Sequence, residues 1–278
     1  MRPERTLSGP GLLPERHSAA SLIAAAILAA TALTAGPAAA ASSSAAAQRI
    51  HWHQRVRDAV SFLGSRTDSV SFAVVDEGRR LHGHRAEAAY SSASLVKAML
   101  LVAYLDRRKV RHRPLHAAER GLLGPMIRVS DNDAATAIYE RVGPSGLARL
   151  ARRAGMRQFV ANEVWGGCQV TARDQARFFA RIRALLPMRH RKYALGLLRR
   201  IVSYERWGIP DGAPSGWRLY FKGGWFKDED GWRVHQAALL ERGGRHISIA
   251  VLSSGNPSLE YGAATIAGVT ARLLHGYR

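Results

Sequence analysis

Ser94 and Lys97 stand three residues apart, in a stretch where Lys97 is the one charged side chain from Leu95 to Leu105. On a helix, positions i and i+3 share a face. A helix this apolar is buried on nearly every side, and burial of an ammonium lowers its pKa towards neutrality. A neutral amine beside a hydroxyl is what activates serine as a nucleophile. Ser94 also opens the helix, where free N–H groups favour developing negative charge. The chain holds 36 arginines and only five lysines, and a guanidinium, always protonated, could not serve as such a base. Ser-x-x-Lys alone recurs by chance, and a capping serine followed by a snorkelling lysine would read the same way.

Two further groupings decide between those readings. Ser130-Asp131-Asn132 opens a second helical segment, in the ordered context IRVSDNDAATAIYE. Lys222-Gly223-Gly224 lies inside the strand-like run RLYFKGGWF. Paired glycines weaken a strand and mark close approach of a ligand or another backbone. A lysine beside them offers a fixed cation for a substrate carboxylate. His51-x-His53 and His82-x-His84 lack further spaced ligands, so neither a metal nor any other cofactor is implied.

The elements that must hold these groups follow from periodicity. A helix is expected over about 46–64, with Ile50, Val56, Val60 and Leu63 on one side. Strands are expected at 69–76 and 79–85. A helical middle follows, with segments at 94–106, 115–128, 131–141, 144–153, 171–185 and 188–203. Strands return at 217–226, 232–240 and 246–252. Asp228-Glu229-Asp230 and Gly243-Gly244 make the hairpin turns between them, and Asn256-Pro257 starts a C-terminal helix. Sheet and helices are segregated in sequence, which predicts an α+β fold. It would be an antiparallel five-stranded sheet flanked by N- and C-terminal helices, with an all-helical subdomain (about 94–205) inserted after the second strand.

At 278 residues and 47% apolar content, the chain suits one domain with a real core. Its single cysteine, Cys168, excludes an intramolecular disulfide and reads as a small buried side chain. Residues 1–41 read as an export signal: Arg2, Arg5 and Arg16, then an apolar run from Leu22 to Leu33, then Ala39-Ala40-Ala41 before Ser42. The remaining 42–278 form the expected exported domain. An Ala/Ser run at 38–47 reads as a flexible lead-in. The formal charge of +20 attracts polyanions. No nucleic-acid motif accompanies it, so anionic cell-wall polymers are the expected partners of a monomeric, extracytoplasmic protein.

Ser94-Leu95-Val96-Lys97, Ser130-Asp131-Asn132 and Lys222-Gly223-Gly224, in that order, resemble the three motifs of class A β-lactamases and related penicillin-binding D,D-peptidases. The resemblance spans essentially all of the chain after the signal. It implies that Ser94 attacks a carbonyl and that Lys97 takes or relays its proton. It implies that the Ser94 and Trp225 amides form the oxyanion hole and that Ser130 protonates the leaving nitrogen. Asn132 would bind the substrate amide, and Lys222 would steady Ser130 and attract a carboxylate.

Three departures qualify these roles. Gly223 replaces a threonine or serine, which removes a hydrogen bond to a substrate carboxylate worth about 1.5–3 kcal/mol. The stretch from Ser94 to Ser130 is short for a class A enzyme, so the helical subdomain is reduced. Residues 161–171 lack the Glu-x-x-Leu-Asn pattern that activates the deacylating water; Glu163, the nearest carboxylate, reads as an exposed loop acid and Asp174 as a first-turn helix residue. Three readings stay open: a β-lactam or peptide hydrolase with slow deacylation, a penicillin-binding protein that barely turns over, and a degenerate wall-binding protein.

Overall fold

A computed structural model describes residues 52–66 and 69–277; the expected export segment, the Ala/Ser lead-in, Ile50 and His51 lie outside them. Helix α1 (52–63) precedes strands β1 (Ser69–Val75), β2 (Leu81–His84) and β3 (Ala89–Ser91). A 3-10 turn (Ala93–Val96) leads into α2 (Lys97–Leu105), α3 (Ala117–Arg128) and α4 (Asn132–Ala154). Strand β4 (Gln169–Thr171) is followed by α5 (Ala172–Leu185), α6 (Met188–Arg199) and the short α7 (Ile209–Gly212). Strands β5 (Arg218–Asp228), β6 (Gly231–Arg242) and β7 (Arg245–Asn256) and helix α8 (Leu259–Leu273) close the chain.

The main sheet has five antiparallel strands in the order β2-β1-β7-β6-β5, the expected α+β architecture. β6 shows how two helical layers clasp it. Val234 meets Gly262 of α8 on one face, whereas His235 bonds Ser91 O at 3.1 Å on the other. Ser248 of β7 donates to Ala176 O of α5 at 2.7 Å. A sheet covered on both faces needs no polar alternation, so six of the seven residues of β1 are buried.

Several boundaries differ from the expectation. The closing strands run to 11, 12 and 12 residues, because the two hairpins carry their pairing beyond the apolar core. The second strand is shorter than 79–85, since Arg79 adopts a left-handed turn conformation with φ +62°. Gly143, with φ +68° before Pro144, breaks α4 where two separate helices were expected. Ser258, not Asn256, caps α8, its Oγ accepting from Tyr261 N at 3.1 Å; Asn256 ends β7 and donates to Trp232 O.

The two-stranded sheet β3–β4 was not anticipated, because strands of three residues carry no readable period. It matters for the site. Through it, Ser92 N donates to Cys168 O at 2.8 Å, which ties residues 165–168 to the turn that carries Ser94. Cys168 is buried, as expected, and burial pushes its thiol pKa up.

Candidate active site

Ser94 lies in the 3-10 turn, between Ala93, held at φ +47°, and the start of α2. Leu95 N donates to Ser92 O at 3.1 Å and closes the turn. Gly224 of β5 runs directly against it. A Cβ at 224 would stand 2.5 Å from Leu95 N and 2.8 Å from Ser94 N, so only glycine lets the strand approach the Ser94 amide. Gly223 faces the other way, where the nearest atoms to an added Cβ are 3.6 Å distant on Gln236, Trp207 and Trp225.

Lys97, the first residue of α2, is fully buried. Its Nζ donates to Ser130 O at 2.5 Å, to Asn132 Oδ1 at 2.7 Å and to Ser130 Oγ at 3.3 Å. Trp165 covers it, with the ring centroid 4.8 Å away. The i, i+3 spacing puts Lys97 beside Ser94 in sequence, yet the amine bonds the Ser130–Asn132 segment and not the Ser94 hydroxyl.

That segment is built by a cap. Asp131 Oδ1 accepts from Ala134 N at 2.7 Å and starts α4, which leaves Ser130 just outside the helix at φ +53°. A left-handed non-glycine residue is strained, and such strain concentrates at functional sites. Here it turns both the carbonyl and the hydroxyl of Ser130 towards buried lysines. Lys222, also fully buried, donates to Ser130 Oγ at 3.0 Å and to Gly223 O at 2.9 Å. Its ammonium lies 5.9 Å from the Trp225 ring centroid, and Trp225 meets Trp207 edge to face.

Glu205 completes the charge balance. It is buried, and its Oε2 lies 3.5 Å from Lys222 Nζ. Burial pushes the Glu205 carboxyl up while Lys222 pulls it back. Desolvation, then the Lys222 charge, brings Lys97 down to about 7, with Glu205 and Asp131 opposing. Desolvation lowers Lys222 less, to about 8, because Glu205 beside it favours the cation. The two amines flanking Ser130 are therefore unequal, and Lys97 gives up its proton more readily than Lys222.

The loop across the cleft brings no carboxylate inward. Glu163 is exposed, and Val164 N donates to Asn162 Oδ1 at 2.9 Å beside it. Trp165 occupies the inner position, its indole N–H on Thr136 Oγ1 at 3.2 Å. Asp174 stands in the first turn of α5, as expected, and is fully buried; it accepts from Arg157 N and Gln158 N at 3.0 and 2.7 Å, anchoring the chain where it enters the loop. Among the described residues, no group of three or more metal-ligating side chains converges.

The structure thus brings Ser94, Lys97, Ser130, Asn132, Lys222, Gly224 and Trp225 together around Ser130 and the Ser94 turn, with Gly223 turned to the other face of β5. Sequence reasoning missed Glu205, Trp165 and Trp207. One signal existed for the first: Glu205 is the lone carboxylate between Asp174 and Asp211, in an arginine-rich stretch.

A five-stranded antiparallel sheet with its edge strand set against a nucleophile turn, and a helical layer supplying the facing lysine and serine, is the fold class of the serine β-lactamases and penicillin-binding proteins. The β-lactamase enzyme family matches residues 114–277, and the chain belongs to it. That match takes in Ser130 and Lys222 and begins after Ser94 and Lys97. Among solved structures, the β-lactamase from Sphaerobacter thermophilus DSM 20745 superposes with a TM-score of 0.69 at 19% identity, covering 81% of this chain and 97% of that one. The class A β-lactamase from Mycobacterium abscessus gives 0.67 at 20%, covering 80% and 99%. PBP-A gives 0.67 at 18%, covering 80% and 95%. No curated protein matches the chain.

Proposed function

We propose that this protein is a serine hydrolase that forms an acyl-enzyme at Ser94 with a β-lactam or a peptide ending in D-Ala-D-Ala. The observation that carries this reading is the single hydroxyl, Ser130 Oγ, shared by two fully buried lysines at 3.3 and 3.0 Å. Ser94 attacks the carbonyl, and Lys97, the amine nearer neutrality, accepts its proton. Catalytic hydrogen bonds tighten on substrate binding, so the Ser94–Lys97 contact is the one left for the substrate to close. Ser130 passes a proton to the leaving nitrogen, with Lys222 holding its hydroxyl. The amides of Ser94 and Trp225 receive the oxyanion, and Asn132 and Lys222 hold the substrate amide and carboxylate.

Slow deacylation belongs to the same proposal. The loop that would supply a water-activating base points Glu163 outward and lays Trp165 over Lys97. The same observation favours a second reading, a penicillin-binding protein that is acylated and scarcely turns over. Export through residues 1–41, a monomeric state and an extracytoplasmic place beside anionic wall polymers complete the proposal, supported by the signal-like sequence and the +20 charge.

Intact-mass spectra after incubation with benzylpenicillin test both readings. A penicilloyl adduct is expected on the native protein and not on Ser94→Ala, and Lys97→Met should slow its formation by about 10²–10⁴-fold. Persistence of the adduct in a chase supports slow deacylation; rapid loss identifies an efficient hydrolase. If neither penicillin nor a D-Ala-D-Ala peptide labels Ser94, the acyl-enzyme proposal fails.

A further inference from the structure

Away from the active site, a cavity of about 970 Å³ opens between the β1–β2 turn, the end of α4, helix α5 and the β6–β7 hairpin. None of the residues around Ser94 lines it. Six arginines do: Arg79, Arg152, Arg157, Arg177, Arg181 and Arg183. Its only carboxylates are Asp76 and Glu77, and both are engaged. Asp76 accepts from Arg80 N and lies against His82 Nε2, each at 2.8 Å, and Glu77 pairs with Arg245 at 2.8 Å. Arg183 is taken by Glu241. The other five guanidiniums have no carboxylate partner among the described residues.

Five like charges brought to one cavity from three separate segments repel one another unless an anion joins them. A guanidinium presents a planar fork of donors that fits phosphoryl oxygens in pairs. A monovalent carboxylate would answer only one of the five, and a cavity of this volume accommodates more than a single phosphate. We propose that this cavity is an anion-binding site for an oligophosphate: a ligand carrying at least two phosphate groups, whether free or repeated along a nucleobase-free phosphodiester polymer. The inference rests on the cavity and its charges alone and does not depend on acylation at Ser94.

Calorimetric titration and thermal shift of the native protein at about 0.15 M ionic strength, where diffuse surface attraction is screened, test the proposal. Tripolyphosphate is expected to bind saturably and raise Tm. The double variant Arg177→Gln/Arg181→Gln should weaken binding about tenfold or more, while penicillin labelling of Ser94 stays at the native rate. A charge-matched control, Arg189→Gln/Arg199→Gln on α6, should change binding by less than about threefold; a 1.4 kcal/mol difference corresponds to tenfold. Poly(glycerol phosphate) distinguishes the sources, since tighter binding per phosphate than tripolyphosphate assigns the site to a polymer and weaker binding to a free oligophosphate. Equal losses in the two double variants would mean a diffuse field and overturn the site, as would the lack of any saturable binding. A single-stranded oligonucleotide binding more tightly than either probe, and lost in the same variant, would replace the oligophosphate with nucleic acid.

Discussion

Lys97 and Lys222 are both fully buried; Lys97 is the more depressed because the Lys222 charge acts on it, and Lys222 the less because Glu205 pairs with it directly. The proposed acylation needs Lys97 neutral and Lys222 charged. Its rate should therefore rise with pH through about 7 and fall above about 8, as Lys222 loses its proton. Glu205→Gln removes a charge that raises both lysines, so both limbs of the profile should move to lower pH. The larger shift is expected on the alkaline side, where the ion pair at 3.5 Å is direct. Measured acylation rates across pH for the two proteins check this, and an unmoved alkaline limb would remove Glu205 from the account of Lys222. Ser94, Lys97, Ser130 and Lys222 were legible in the sequence because each sits in a short spacing whose chemistry is local. Glu205 was not, since it is brought to Lys222 from 17 residues away in the chain by a loop without periodicity.

β5 and the nucleophile turn form one unit, joined where a side chain is missing. Gly224→Ala would push a methyl into the amides of Ser94 and Leu95. It should cost about 1–3 kcal/mol of stability through overpacking and reduce acylation more than stability alone explains. Gly223→Ser meets nothing closer than 3.6 Å, so it should fold normally. Its hydroxyl would stand among Gln236, Trp207 and Trp225, on the face of β5 turned away from the Ser94 turn, so acylation by a carboxylate-bearing penicillin should stay near the native rate. Melting temperatures and second-order acylation constants of the two variants separate these effects. Two glycines announced close approach from sequence alone, but which of them touches the turn was decided by strand pleat. The unforeseen β3–β4 pair, which holds the 165–168 loop against Ser92, has no sequence signature because strands of three residues are too short to show a period.

Over the whole molecule, the +20 charge would favour the approach of an anionic substrate. Acylation by an anionic penicillin at sub-saturating concentration should slow by severalfold between about 0.01 and 1 M salt, where screening shortens from about 30 to 3 Å. A penicillin ester lacking the carboxylate should lose much less. Stopped-flow rates with the two compounds measure the difference, and equal salt slopes would mean that the field acts on the protein and not on the encounter.

By itself the sequence determined the α+β class, the order of its elements, the position of the helical insertion and the three motifs. These depend on local periodicity and on residue types with few alternatives: lysine among arginines, paired glycines in a strand, a Ser-Asp-Asn run opening a helix. Only the tertiary structure decided the rest. It set Ser130 at a left-handed φ between two buried amines, made one amine more basic by means of a distant glutamate, turned Glu163 outward and Trp165 inward, and collected around one cavity five arginines with no carboxylate partner among the described residues. Each of these is a matter of burial and of distance between segments far apart in the chain. Charge and pKa follow from what the fold places within a few ångströms, and spacing along the sequence does not carry that information.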